Sequence, residues 1–214
     1  MDAPGRILIV MPLRRRPNWK REKLAWAAGE LVCGVDEVGT GAWAGPVYAG
    51  AVIFPSYIRV PKLMDSKLLR EDERTLVAEF LMKHCVWAVG RAEVSEIFEL
   101  GLRPATYLAM QRAITSLSSR PSRLVIDALR IPDVEIPQES VIRGDYQVAS
   151  ISAAAIIAKY HRDAVMREYD VTFPGYGFAD HKGYGTKCHQ DGIFCLGPCP
   201  IHRLNFAPFS KKEP

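Results

Sequence analysis

The sequence predicts a single α/β domain, because short apolar segments typical of strands alternate along the chain with segments of helical spacing. A length of 214 residues suffices for one domain with a sizeable core. We find no internal repeat, low-complexity tract or interior linker that would divide the chain. We therefore expect one folded unit, residues 22–214, preceded by a basic and disordered N-terminal arm, residues 1–21.

Composition excludes several classes of protein. With 48% hydrophobic and 24% charged residues, the chain lies in the ordinary globular range. The longest uncharged stretch, residues 38–58, holds six glycines and prolines and is unsuited to a helix in lipid. No secretion signal is recognisable, and an odd number of cysteines, five, argues against a disulfide framework. We expect a cytoplasmic protein with reduced thiols.

Positive charge is concentrated at the N-terminus. Residues 1–23 hold seven basic and two acidic residues, which leaves 21 basic and 22 acidic residues for the rest of the chain. The arm is either a solvated polybasic tail, which we favour, or an extension that touches phosphates. Since the body is nearly neutral, its function has to be inferred from motifs.

The first half of the chain predicts two helices and three strands. Amphipathic spacing marks the helices, and short apolar runs mark the strands. Residues 38–46 are rich in glycine and predict a turn between the first two strands. The predicted helices are residues 22–31 and 71–85, and the predicted strands are residues 31–36, 47–54 and 86–94.

The second half predicts further helices and two more strands. Ser95 is a candidate N-cap for the helix that follows the third strand. The long apolar run after residue 147 is typical of a buried helix, whereas the aromatic and glycine-rich residues 173–184 predict a loop. The predicted helices are residues 105–117 and 148–169, and the predicted strands are residues 123–127 and, more weakly, 139–143.

Acidic residues stand at the ends of three predicted strands. Asp36 and Glu37 end the first, Asp127 ends the fourth, and Asp145 follows the fifth. Functional groups gather at strand ends in α/β sheets, so these four carboxylates could meet. For Asp127 or Asp145 alone, a surface or capping role is the commoner outcome. The adjacent pair Asp36 and Glu37 is stronger evidence for a functional site, because two acids at the end of an apolar strand destabilise the fold unless a ligand binds there.

A carboxylate cluster needs cations to remain ionised, since like charges in one pocket raise each other's pKa. Oxygen ligands of this kind select Mg²⁺ or Mn²⁺. Paired metal ions on carboxylates are typical of phosphoryl transfer, which indicates a nuclease or a phosphatase.

Residues 34–47, GVDEVGTGAWAGPV, are similar to the signature of the ribonuclease HII family, G-[VI]-D-E-[VA]-G-R-G-x-x-A-G-P-V. Further similar segments cover about residues 22–207 in unbroken order, which is far more specific than one motif. They are Asp65–Lys67, Gly90–Ile97, Val125–Asp127, Gly144–Asp145, Ala153–Lys159, Tyr176–Thr186 and Leu196–Arg203.

This resemblance implies a ribonuclease H-like fold, with a mixed central β-sheet flanked by helices and a helical C-terminal part. It implies a metal-dependent endoribonuclease that cuts the RNA strand of RNA–DNA hybrids, leaving 3′-hydroxyl and 5′-phosphate ends. DNA containing ribonucleotides is a further expected substrate. By position, the family's catalytic and metal-binding carboxylates correspond to Asp36, Glu37, Asp127 and Asp145.

The glycine turn departs from the family pattern. Gly39 and Gly41 match, and would let main-chain amides approach a sugar and phosphate closely, but Thr40 stands where the family has arginine. A threonine hydroxyl cannot make the bidentate phosphate contact of an arginine. The related ribonuclease HIII family tends to lack this arginine, although its N-terminal platform domain is not recognisable in this sequence. We expect efficient cleavage of ribonucleotide runs and weak cleavage at single embedded ribonucleotides.

Further positions correspond to family residues or depart from them. Tyr184 corresponds to a tyrosine that packs on a sugar, although it could simply anchor its loop. Lys67 and Lys159 correspond to lysines near the substrate backbone, but either could be a solvated residue. Ala128 replaces the glycine that usually follows the third acid, which affects local backbone geometry.

Alternatives remain open at this level. A hybrid-binding module without catalysis, a ribonuclease H-like nuclease acting on DNA, and a metal-dependent phosphatase would share the carboxylates. Structural zinc is disfavoured because the C-terminal cysteines and histidine lack a CxxC pair, and His181 is expected to bond to backbone. A monomer is expected, with no clamp-binding peptide evident in residues 206–214. The four residues considered for zinc are Cys188, Cys195, Cys199 and His202.

Overall fold

The computed structural model describes residues 16–206 and 208–209. Its strands are β1 (Val32–Val38), β2 (Val47–Ile53), β3 (Val86–Ala92), β4 (Arg123–Asp127) and β5 (Gln138–Val141). They form one five-stranded sheet in the spatial order β3-β2-β1-β4-β5. β1, β2 and β3 pair antiparallel, whereas β4 and β5 run parallel to β1. The mixed central sheet predicted for this chain is confirmed.

Helices cover both faces of the sheet. They are α1 (Lys20–Ala27), α2 (Glu71–His84), α3 (Val94–Leu100), α4 (Leu102–Thr115), α5 (Gly144–Gln147), α6 (Ala149–Thr172), α7 (Phe178–His181) and α8 (Lys187–Leu196). Apolar side chains of α4 form a core with one face, and those of α2 and α6 form a second core with the other. None of the helices in residues 16–206 is long and apolar enough to span a membrane.

Two strand glycines set the distance between the sheet and its helices. A Cβ on Gly34 of β1 would lie 2.1 Å from the main-chain carbon of Ser150 in α6. A Cβ on Gly90 of β3 would lie 2.1 Å from the carbonyl oxygen of Ala109 in α4. A larger residue at either strand position would push a helix away from the sheet, because packed interiors have little free space.

The folded domain begins earlier than predicted. The Asn18 amide donates to the carbonyl of Gln147 at 2.9 Å, and the Asn18 side chain accepts from the Lys20 amide at 3.0 Å. These contacts tie the segment before α1 to the end of α5, so the predicted boundary at residue 22 is wrong. Residues 16–21 belong to the domain, whereas residues 1–15 of the predicted arm lie outside the described residues.

Two local predictions in the second half are also wrong. Ser95 does not cap a helix, because Glu93 is the N-cap of α3 and its amide donates to the side chain of Glu96 at 2.8 Å. The segment predicted as a loop contains α7, a single helical turn that begins after Gly177 in the left-handed conformation. With α7 and α8 following α6, the predicted helical C-terminal part is confirmed.

Ala128 carries backbone strain directly after β4. Its φ is +49°, in the left-handed region that glycine adopts without cost. We expect Ala128→Gly to stabilise the protein by about 0.5–1 kcal/mol, since relief of about 1–2 kcal/mol of strain outweighs the entropy gained by the unfolded chain. Thermal unfolding measures this change. The control Ala27→Gly in α1 should destabilise the protein, and a lower melting temperature for Ala128→Gly would contradict the argument.

Candidate functional site

Parallel pairing of β1 with β4 brings two aspartates side by side. Val35 pairs with Ile126, so Asp36 and Asp127 follow at the same edge of the sheet. Asp145 joins them from the first turn of α5. Each aspartate offers a carboxylate oxygen that lies within 4.8 Å of those of the other two. The structure therefore brings together three of the four acids predicted from the strand ends.

Main-chain hydrogen bonds hold these carboxylates in place. The Gly144 amide donates to Asp127 Oδ1 at 2.7 Å, which connects the end of β4 to the start of α5. Asp36 Oδ1 accepts from the amide of Glu37 at 2.8 Å, and Asp145 Oδ1 accepts from the amide of Tyr146 at 3.0 Å. The remaining oxygens of the aspartates are thus available for a ligand.

Glu37 lies beside the three aspartates without belonging to the group that could share one ion. It borders the same cavity, and its Oε2 is buried with no hydrogen-bond partner among the described residues. A buried carboxylate oxygen without a partner is costly. This oxygen can therefore accept a hydrogen bond from a ligand in the cavity.

Burial and mutual repulsion raise the pKa values of the clustered carboxyl groups. Burial, followed by the charges of Glu37, Asp127 and Asp145, raises the pKa of Asp36 well above its usual range. Burial and then Asp127 raise the pKa of Glu37 to about 7, and the same two causes raise the pKa of Asp145. A divalent cation would relieve this repulsion, and an all-oxygen donor set fits Mg²⁺ or Mn²⁺.

An open cavity of about 350 Å³ lies above the carboxylates. It is bordered by every residue predicted for the site except Gly41. Three residues that the sequence did not single out also border it, and their small or uncharged side chains carried no signal. These are Val38, Ser66 and Ala155.

The two predicted lysines are held differently. Lys67 lies on a 3₁₀ helix, Ser66–Leu68, whose cap Asp65 accepts from the Lys67 amide at 2.9 Å. Its side chain is 78% exposed and its Nζ lies 4.0 Å from Asp145 Oδ2. Lys159 also borders the cavity, but it forms an ion pair with the buried Asp163. Lys67 is therefore the freer of the two cations to meet a phosphate.

Gly39 and Gly41 of the turn differ in how strictly the surrounding structure requires a glycine. Gly39 has a φ of +90°, and a Cβ there would lie 2.1 Å from Nε of Arg162. The fold itself thus requires glycine at position 39, in addition to any need of the substrate. Gly41 is exposed, and a Cβ there would meet only Tyr184 Cε1 at 3.8 Å. Space is therefore left open between Gly41 and the tyrosine ring.

Three histidines anchor the loop that carries Tyr184. The Cys199 amide donates to His202 Nδ1 at 2.8 Å, so the other ring nitrogen of His202 carries the proton. That nitrogen lies 3.0 Å from Nε2 of His189, which leaves His189 Nδ1 to donate to the Tyr184 carbonyl at 3.1 Å. His181 accepts from the Gly183 amide at 3.1 Å, the backbone contact expected for it. Tyr184 thereby has a defined position at the cavity.

The C-terminal cysteines do not gather around an ion. Cys188 and Cys195 are exposed, and Cys199 is half-buried. Within residues 16–206 and 208–209, the aspartate trio is the one set of acidic, histidine or cysteine side chains close enough to share a metal.

Sequence reasoning missed two buried arginines below the turn. Arg162 donates to the carbonyls of Ala44, Pro46 and Lys182, and Arg203 donates to those of Thr40 and Gly45. No local pattern marked them, because Arg162 stands in the charged part of its helix and Arg203 in an irregular segment near the C-terminus. Their side chains hold the turn against α6 and the C-terminal segment.

Comparison with known proteins gives matches over most of the chain. A family profile for ribonuclease HII matches residues 33–209. The ribonuclease HII of Dehalococcoides mccartyi is 43% identical over 207 residues, which cover 92% of this chain and 96% of that protein. The ribonuclease HII of Thermus thermophilus is 46% identical over 187 residues, which cover 87% of this chain and 91% of that protein.

Solved structures show the same fold. Ribonuclease HII from Archaeoglobus fulgidus, solved in complex with PCNA, superposes with a TM-score of 0.69 at 20% identity and covers 85% of this chain and 97% of its own. Bst-RNase HIII, solved with Mn²⁺, superposes with a TM-score of 0.61 at 19% identity and covers 84% and 68%. The family profile and the relatives, together with the carboxylates at the strand ends, lead to one conclusion: this chain belongs to the ribonuclease HII family.

Proposed function

We propose that the carboxylate cavity hydrolyses phosphodiester bonds in the RNA strand of RNA–DNA hybrids, leaving 3′-hydroxyl and 5′-phosphate ends. The observation that carries this proposal is the convergence of Asp36, Asp127 and Asp145 at one edge of the sheet, within 4.8 Å of one another. Membership of the ribonuclease HII family supports the same activity. The open cavity allows a strand to pass over the carboxylates.

Divalent metal ions complete this site. Asp36, Asp127 and Asp145 would hold the ion, and Mg²⁺ or Mn²⁺ fits their oxygen atoms. The Mn²⁺ in the related Bst-RNase HIII structure supports this choice. When bound, the ion supplies charge neutralisation for the phosphate and lowers the pKa of a water molecule.

The chain's own residues bind and orient the substrate. Lys67, exposed at the rim, attracts a phosphate by its charge. Tyr184 packs on a sugar across the space next to Gly41, and main-chain amides of the turn donate to the ribose 2′-hydroxyl, which distinguishes RNA from DNA. Glu37 Oε2, buried without a partner, accepts a hydrogen bond from a water or a hydroxyl at the reacting linkage.

A gel assay with end-labelled duplexes tests this function. We expect cleavage of an RNA–DNA hybrid in Mg²⁺ or Mn²⁺, weaker cleavage of a DNA duplex with one embedded ribonucleotide, and none of a DNA-only duplex. Cleavage of the DNA-only duplex would indicate a DNA nuclease instead. Hybrid binding without cleavage in saturating Mn²⁺ would indicate a binding module.

Thr40 is expected to limit cleavage at single ribonucleotides. It borders the cavity, but its hydroxyl cannot make a charged bidentate contact with phosphate. Thr40→Arg should raise the rate at a single ribonucleotide about tenfold relative to the rate on a hybrid, the effect of one charge-assisted hydrogen bond. Thr40→Gln provides similar reach without charge and should change neither rate. If the ratio of the single-ribonucleotide rate to the hybrid rate is unchanged in Thr40→Arg, the hypothesis is wrong.

Three further expectations stay predictions. They are a monomeric state, a cytoplasmic location and the absence of a clamp-binding peptide. The last concerns residues 206–214, most of which lie outside the described residues. Size-exclusion chromatography with light scattering tests the first.

A further inference from the structure

A second depression of about 260 Å³ lies between the segment before α1 and the loop that follows β2. We call it the N-terminal groove. Its floor is apolar and includes Trp19 and Leu63, which pack into the core shared by α2 and α6. Its rim carries three exposed residues, Arg16, Tyr57 and Arg59. The groove thus combines apolar walls with two positive charges.

The charge of the N-terminal groove is not neutralised by neighbouring side chains. Among the residues that the structure describes, neither Arg16 nor Arg59 forms an ion pair with a carboxylate. The loop segment of residues 55–64 contains no aspartate or glutamate, and no acidic residue of the described chain borders the groove. Two exposed guanidinium groups at one groove favour an anionic partner with several charges over a neutral apolar one.

Tyr57 adds a flat apolar surface between these charges. The residue is 58% exposed, and its ring centroid lies 5.2 Å from that of Trp19 in an edge-to-face arrangement. Trp19 therefore supports the tyrosine ring from one side while the other side remains open to a ligand. Arginine and tyrosine side chains together are typical of surfaces that contact the phosphates and sugars of nucleic acids.

The N-terminal groove adjoins the catalytic cavity through two connections. Leu63 of the groove and Ser66 of the cavity are three positions apart in the sequence, so at most about 11 Å separates their Cα atoms. On the other side, the Asn18 amide, next to Trp19, donates at 2.9 Å to the carbonyl of Gln147, two positions after Asp145. Successive phosphates of one strand are about 3.4 Å apart along a duplex, so the groove lies within a few base pairs of the cavity.

We propose that the N-terminal groove binds the sugar–phosphate backbone of the substrate duplex, roughly three to five base pairs from the cleaved linkage. This inference rests on the proposed hybrid-cleaving function. Arg16 and Arg59 attract phosphates, and Tyr57 packs on a sugar between them. These contacts carry no base specificity and strengthen binding of the duplex beside the ribonucleotides. Of the two roles that the sequence left open for the basic arm, phosphate contact is thereby assigned to Arg16.

Binding measurements on exposed groove variants test this proposal. The probe is a labelled DNA duplex of about 20 base pairs with a short central run of ribonucleotides, and fluorescence anisotropy in EDTA measures its Kd. Arg16→Gln and Arg59→Gln should each raise Kd about five- to tenfold at about 0.1 M salt and reduce the slope of log Kd against log salt by about one. Arg59→Lys should retain most of the affinity, because it keeps the charge. Tyr57→Ala should raise Kd without changing the salt slope.

Shortening the duplex identifies the part that reaches the groove. With Mg²⁺ present, the central ribonucleotides fix the position of cleavage, and base pairs are removed from either end of the duplex. Removal at one end should raise the wild-type KM about tenfold and should leave the KM of Arg59→Gln almost unchanged. Removal at the other end should affect both proteins equally. At saturating substrate kcat should not change, because the groove does not contact the cleaved linkage.

The matched control is Arg103→Gln, which removes an exposed arginine of α4 on the opposite face of the sheet. It should change neither Kd nor the salt slope. An unchanged Kd in both groove arginine variants, or an equal loss in Arg59→Gln at every duplex length, would overturn the proposal. A loss in Arg103→Gln as large as that in Arg59→Gln would overturn it too, since net charge would then explain the effect. If the wild-type protein binds the duplex but does not cleave it in Mg²⁺ or Mn²⁺, the proposed function fails, and the anisotropy measurements still test the groove.

Discussion

Asp36→Asn is expected to lower cleavage of an RNA–DNA hybrid by about 10³-fold or more, because the transition-state stabilisation supplied through a metal ion amounts to several kcal/mol. Asp36 is buried among the cluster, and its oxygens are close to those of Asp127 and Asp145. Asparagine keeps the shape and the hydrogen bond from the Glu37 amide but removes the charge that holds the ion. The measurement is single-turnover cleavage in saturating Mg²⁺.

The same variant should be more stable than the wild type without metal. Burial and neighbouring carboxylates raise the pKa of Asp36, so its charge is unfavourable in the metal-free folded state. The melting temperature in EDTA should therefore rise while activity is lost. Asp72→Asn, at an exposed residue of α2, is the control and should leave activity unchanged. Loss of both activity and stability in Asp36→Asn would instead indicate disruption of the fold.

Divalent ions are expected to stabilise the protein strongly, and more so at higher pH. An ion present at about 100-fold its dissociation constant contributes about 3 kcal/mol, which corresponds to roughly 5–10 °C in melting temperature. Protons compete with the ion for the carboxylates, so the shift should be larger at about pH 8 than at about pH 5.5. Thermal unfolding in EDTA and in millimolar Mg²⁺ or Mn²⁺ measures it.

The direction of the pH effect follows from the raised carboxyl pKa values. In the metal-free folded state the pKa of Glu37 is about 7, and those of Asp36 and Asp145 are also raised. The folded protein thus binds protons more tightly than the unfolded chain, and its stability is lost as pH rises from the ordinary carboxyl range through about 7. Equal metal-induced shifts at both pH values would contradict a site built on these groups.

Much of the fold could be predicted locally. The short apolar runs predicted both strands, and β4 has its predicted bounds, ending at Asp127, whereas β1 was predicted to end at Asp36 and continues to Val38. Helix starts were less predictable. Asn18 anchors α1 through a contact with Gln147, 129 positions along the chain, which no local pattern indicates. Glu93 is the N-cap of α3, because its side chain and that of Glu96 each accept a hydrogen bond from the other residue's amide.

The four acids, the glycine turn, Lys67 and Tyr184 were predicted as site residues from the sequence alone, because each belongs to a motif whose chemistry can be named without the structure. Only the tertiary structure decided that Asp36, Asp127 and Asp145 share a site while Glu37 lies beside it, since that depends on strand pairing. It likewise placed Arg162 and Arg203 beneath the turn, where neither pairs with a carboxylate of the described residues. The physical reason is that strand periodicity and residue chemistry are local, whereas burial and charge pairing depend on neighbours that folding brings from distant positions.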